Sequence, residues 1–131
     1  MSIEWYLSKF VNSYMGTALW ASLDNDAIEG RVDREGENLD DNFDTDDISE
    51  ATKQAMREDC ESFVKANWDD LMEIDGDASQ AGHDFWLTRH RHGAGFWDRG
   101  YGEPGDRLTK ASHTCGEMHL WANEEGEICH G

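Results

Sequence analysis

DISEATKQAMREDCESFVKANWDDLMEI, residues 47–74, is the stretch on which the fold reading turns. Neither proline nor glycine interrupts it. Ile48, Ala51, Ala55, Met56, Cys60, Phe63, Val64 and Leu71 recur at helical spacing, which gives one apolar face over many turns. Asp47 with Glu50 three residues on has the form of an acidic N-cap pair, and Arg57, Glu61 and Lys65 stand at i,i+4 intervals that favour a helix. The spacing predicts one long helix from Asp47 to about Ile74, closed by Gly76.

Toward the N-terminus, Ile3, Leu7, Phe10, Val11, Tyr14 and Leu19 predict a second amphipathic helix within Ile3–Trp20. Between the two helices, residues 24–46 hold ten acids and two bases, with Asn25, Gly30, Gly36, Asn38 and Asn42 breaking any periodicity. This reads as an acidic loop anchored by Leu39 and Phe43. Toward the C-terminus, the turn-like stretch 75–82 gives way to the aromatic and β-branched run His83–Arg89. Phe96–Arg99 answers that run across His92-Gly93-Ala94-Gly95, and the pair reads as a β-hairpin. Pro104 near the start and Gly116 after the end bracket a short helix over Glu103–Thr114. Alternation in Glu117–Ala122, then Glu125-Gly126 before Ile128, suggests two further short strands. The expected architecture is a single α+β domain spanning residues 1–131, with N-terminal helices, one of them long, packed on a small antiparallel sheet with one further short helix.

Hydrophobic residues make up 37% of the chain and include six Trp, five Phe and three Tyr, enough large apolar side chains to build a core rather than a disordered acidic tail. No apolar run approaches the roughly 20 residues that span a bilayer, and the three cysteines lack C-x-x-C spacing, so reduced thiols and a cytoplasmic setting are expected. The formal charge is −18, of which residues 1–82 (21 acids, 6 bases) carry −15 and residues 83–131 (8 acids, 5 bases) carry −3. A field of that sign repels nucleic acid and anionic membrane and attracts basic partners, besides promoting solubility.

The string GHDFWLTRHRHGAGFWDR, residues 82–99, resembles a segment of a family of short, mostly uncharacterised proteins encoded in bacteriophage genomes and prophages. The likeness extends through YMGTALWAS (14–22), DDISEATKQAMREDC (46–60) and GDRLTKASHTCGE (105–117). This chain departs from the pattern around residues 24–41, where it is longer and more acidic, and at His90-Arg91, where an Asn or other turn residue is expected. The resemblance implies an α+β phage accessory protein in an infected or lysogenic bacterium, and brings no established activity with it.

Three groups of residues could carry chemistry. Asp40, Asp41, Asp44, Asp46, Asp47 and Glu50 are the candidate contacts for a basic host protein, such as a nuclease or another DNA-binding protein, which an acidic surface could block by imitating the charge row of DNA. Binding rather than turnover is expected from this group. A second reading is a small metal-dependent enzyme or nucleotide binder using His83, Asp84, His92 and Arg99, with zinc or iron held by His90 and His92 together with His113 or His119; structural hydrogen bonding by these histidines is the simpler expectation. Arg89, Arg91 and Arg99, interleaved with Phe85, Trp86, Phe96, Trp97 and Tyr101, have the alternation used to stack bases, although a Trp-rich core with Arg89 and Arg99 paired to Asp84, Asp98 or Asp106 accounts for them more simply. A virion structural component is a third functional class. EF-hand, dinucleotide, Walker and G-x-S-x-G patterns are not found, and no cofactor or metal is expected.

Overall fold

The computed structural model describes residues 2–74, 77–92 and 95–131. Helix α1 (Ile3–Ala21) starts at Ser2, whose hydroxyl accepts from the Trp5 N–H, and buries Tyr6, Phe10, Val11, Tyr14, Met15, Ala18 and Leu19. After a short helix α2 (Asn25–Ile28), the chain makes 3₁₀ turns at Leu39–Asp41 and Thr45–Asp47 before entering α3 (Glu50–Ala66) and α4 (Trp68–Glu73). Helix α5 (Ala78–Arg89), a 3₁₀ turn at Phe96–Asp98, and helix α6 (Glu103–Thr114) follow. Strands β1 (Leu120–Ala122) and β2 (Ile128–His130) close the chain as an antiparallel pair with Trp121 opposite Cys129. The fold is α+β and mostly helical, with a long N-terminal helix and a small antiparallel sheet. No helix among the described residues is long and apolar enough to cross a membrane.

The long helix is shorter than its periodicity suggests, at both ends. Its N-cap is Ser49, not Asp47: the Ser49 hydroxyl accepts from the Thr52 N–H, while the Ser49 N–H donates to the Ile128 carbonyl. Ile48 bridges to Ile128 in parallel, so residues 48–49 are held extended against β2 and the helix cannot begin earlier. At the far end the Asn67 amide donates to the Phe63 carbonyl at 2.9 Å, competing with the backbone ladder, and the helical run breaks between α3 and α4.

The larger correction concerns residues 83–99. The described residues of this stretch form no β-hairpin: His83–Arg89 is the second half of α5, and Phe96–Asp98 is a 3₁₀ turn. Gly93 and Ala94, the expected hairpin turn, lie outside the described residues, as do Asp75 and Gly76 of the preceding turn-like stretch. Helix α5 is the centre of the molecule, packed most extensively on α1, with Asp84 through Arg89 all buried. A helix covered on every side has no polar face and so no helical period in its hydrophobicity. Gly82 permits the α1–α5 approach, because a Cβ there would collide with the Phe10 carbonyl oxygen. The Phe63 ring stacks on Phe85 at 4.0 Å between centroids, and Phe10, Tyr14, Trp86 and Phe96 extend this aromatic cluster across α1, α3, α5 and the Phe96–Asp98 turn. Leu39 is fully buried and Phe43 packs at the core's edge, so the acidic segment is anchored as its sequence suggests.

Candidate functional site

Carboxylates organise the acidic segment from within. Asp24, buried at the start of α2, receives the Arg34 guanidinium as a fork (Nη2 at 2.9 Å, Nε at 3.0 Å), with the Asn42 amide at 3.2 Å and the Ala27 N–H at 3.3 Å. The hydrogen bonds from Arg34, reinforced by those from Ala27 and Asn42, outweigh burial and hold its carboxyl below the ordinary aspartate pKa. Arg34 also lies over the Phe43 ring, 5.0 Å from its centroid, so one ion pair ties residue 24 to residues 34, 42 and 43.

The six predicted contact residues lie on consecutive features of the chain. Asp40 and Asp41 fall in the first 3₁₀ turn, Asp46 and Asp47 in the second, Asp44 is the second turn's N-cap, and Glu50 opens α3. All are exposed except the half-buried Asp47. Three of them are fixed by the backbone. Asp41 Oδ2 accepts the Asn38 and Glu37 N–H groups at 2.9 Å each, which lowers its pKa. Asp44 Oδ1 accepts from Asp46 N–H, and Asp47 Oδ2 accepts from Asp44 N–H, both at 2.9 Å. Asp40 and Asp46 are turned to solvent, and Glu50 makes only a loose pair with Lys53 at 3.8 Å.

The second predicted group is divided. Asp84 and Arg99 meet as a fork (2.8 and 3.1 Å) that pins the 3₁₀ turn to α5, with Asp84 wholly buried; burial raises its pKa against the pull of Arg99. His83 turns away to Thr17 Oγ1 at 2.8 Å and lies beside Trp20. His92 borders a different region, a cleft of about 530 Å³ between the ends of α1 and α5 and the approach to β1, shared with Trp86, His90, Glu117 and His119. His90 forms part of its floor: the ring stacks on Trp86 at 3.8 Å, Nδ1 faces the Trp86 carbonyl at 2.8 Å, and Nε2 lies 2.9 Å from the Met118 N–H. Burial lowers the His90 pKa, and with the Met118 N–H donating to Nε2 it is Nδ1–H that donates to the Trp86 carbonyl. Among the described residues no three His, Cys, Asp or Glu side chains are grouped to hold a metal ion.

Arg89 was expected to pair locally. Its guanidinium instead reaches across the molecule to Asp59 on α3 (2.9 Å), the Tyr14 hydroxyl on α1 (2.8 Å) and the carbonyls of Gly116 (2.7 Å) and Cys115 (3.0 Å) after α6. It is a structural junction rather than a base-stacking arginine. Cys60 is buried in the core, and burial raises its thiol pKa, which disfavours a reactive thiolate; Cys115, at the end of α6, is exposed.

The fold and these surfaces define a small α+β domain with an ordered anionic segment and a histidine-bordered cleft. Compared with protein-family models, with curated proteins and with solved structures, the chain shows no significant match.

Proposed function

We propose that this protein acts by binding, presenting the anionic surface of Asp40, Asp41, Asp44, Asp46, Asp47 and Glu50 to a basic protein and so occluding it. The observation that carries this reading is the fixing of Asp41, Asp44 and Asp47 by backbone N–H groups. With three of the six carboxylates held by the backbone before contact, the segment loses less conformational entropy on binding than a mobile acidic loop would, which is the chief objection to such a loop as a recognition surface. The likeness to phage and prophage proteins supports a setting inside a bacterial host, where a nuclease or other DNA-binding protein is the fitting partner and competition with DNA the fitting mechanism. The test is retention of proteins from host lysate on the immobilised chain. A basic nucleic-acid-binding protein released both by duplex DNA and by salt is expected, and retention indifferent to both would overturn the reading.

The cleft beside His90, His92 and His119 favours the second reading, a small-ligand binder or enzyme. Of the four residues first assigned to it only His92 borders that cleft, because Asp84 and Arg99 neutralise each other elsewhere.

A further inference from the structure

The β1–β2 pair has one covered edge and one open edge. The Asn123 N–H bonds the Glu127 carbonyl and the Gly131 N–H the His119 carbonyl, so by alternation Trp121 and Cys129 are a hydrogen-bonded pair and the N–H and C=O groups of Leu120 and Ala122 point away from β2. On the far side of β2 the ladder continues, with the Ile128 carbonyl taken by Ser49. Nothing among the described residues hydrogen-bonds the outward groups of Leu120 and Ala122. A second open edge lies at Leu23. Leu23 bridges antiparallel to Asn38, and the flanking bonds Asp24 N–H to Glu37 and Leu39 N–H to Ser22 leave the Leu23 N–H and C=O directed away from residues 37–39. Leu23 and Leu120 both line the histidine-bordered cleft and a recess of about 140 Å³ that adjoins it, so both edges border one groove.

We propose that this groove takes up an extended, basic segment of a partner protein, pairing by backbone hydrogen bonds with β1 on one side and with Leu23 on the other. Leu23 and Trp121 are 53% and 45% exposed beside it and supply apolar anchorage for alternate side chains of such a segment. The acidic segment begins directly after Leu23, and Asp24, Asp26 and Glu117 border the groove against the single arginine Arg31, which pairs with Asp26 at 3.0 Å; this acidic excess favours a basic occupant. The basic character of the segment rests on the function proposed above, whereas the strand pairing follows from the register alone.

Amide hydrogen exchange of the full chain tests this with three peptides of roughly nine residues, a usual strand length. They are an alternating lysine–valine peptide, its glutamate–valine counterpart, and the lysine–valine peptide with alternate backbone nitrogens methylated. At millimolar concentration the first slows exchange at Leu23, Leu120 and Ala122 at least tenfold, and the other two do not. Ala122→Pro removes an N–H that serves no ladder bond, so the Trp121 and Asn123 amides stay protected while the peptide effect is lost. Protection confined to residues 40–50 would overturn strand pairing and leave the anionic-surface reading standing. Equal protection by the lysine and glutamate peptides would overturn the basic occupant and leave the surface at residues 40–50 to its own test. Protection of the same amides in the protein alone, rising with concentration alongside a dimeric mass, would assign the groove to a second copy and overturn the proposal.

Discussion

Asp24→Asn tests whether the acidic segment is held by its own chemistry. The substitution removes one charge of eighteen in the net total and almost no volume, so the overall field is nearly unchanged. The local effect is large, because an amide has a single acceptor oxygen and its NH₂ would face the Arg34 guanidinium. Asp24 accepts two bonds from Arg34, one from Asn42 and one from Ala27, and bonds to charged groups contribute about 1.5–3 kcal/mol where water cannot replace them. Arg34 is 23% exposed and regains part of its hydration, so the expected loss is about 2–4 kcal/mol, concentrated in residues 24–43. At 1.4 kcal/mol per decade this raises local opening roughly 30-fold to 1000-fold. The assay is amide exchange at Asp24, Leu39 and Phe43, whose N–H groups bond Glu37, Ser22 and Leu39. Those three amides accelerate while amides in the middle of α5 hold their rates. Unchanged exchange at all three would refute the claim that the Asp24–Arg34 pair orders the segment.

Gly82→Ala places a methyl against the Phe10 carbonyl and forces α1 and α5 apart; it lowers the urea midpoint by an amount corresponding to about 1–3 kcal/mol, where an exposed helical glycine would gain stability from the same change. Arg89→Met strands the buried Tyr14 hydroxyl and costs about 2–4 kcal/mol in the same assay; pairing it with Tyr14→Phe recovers part of the loss, and strict additivity of the two would contradict the assigned hydrogen bond. His90 carries a pH signature. Its folded pKa lies below the ordinary 6.5, so the unfolded chain takes up the proton first; its contribution to stability is complete above 6.5 and is lost as pH falls through the folded value. Between about pH 7 and pH 5, His90→Gln flattens the dependence of the urea midpoint on pH, and an unaltered slope would show that another group sets it.

The parts of the fold that were legible in the sequence are those that meet water on one side. Helices α1 and α6 and the strands at Leu120 and Ile128 carry their period, caps or turn residues openly. Helix α5 does not, since burial on every face leaves Phe85-Trp86-Leu87-Thr88 looking like strand; the available signal was Asp77 three residues before Gln80, a cap pair inside what read as a turn. Pairing of Arg99 with Asp84 was among the local options, while the Arg89–Asp59 contact joins residues 30 positions apart and needs the fold to appear. The acidic cluster was visible as composition. That Asp41, Asp44 and Asp47 serve as backbone caps was not, because the same residue types serve equally as solvated surface charge; the spacings Asn38 to Asp41 and Asp44 to Asp47 were its only trace.

The most direct test reverses the three cluster carboxylates that no cap or close ion pair uses, as Asp40→Lys, Asp46→Lys and Glu50→Lys together, and compares association rates with whichever basic protein the native chain retains from lysate. At low salt the reversed protein associates at least about tenfold more slowly, and the two rates converge as salt is raised. Equal rates at low salt, with the fold intact by circular dichroism, would contradict an anionic binding surface at residues 40–50.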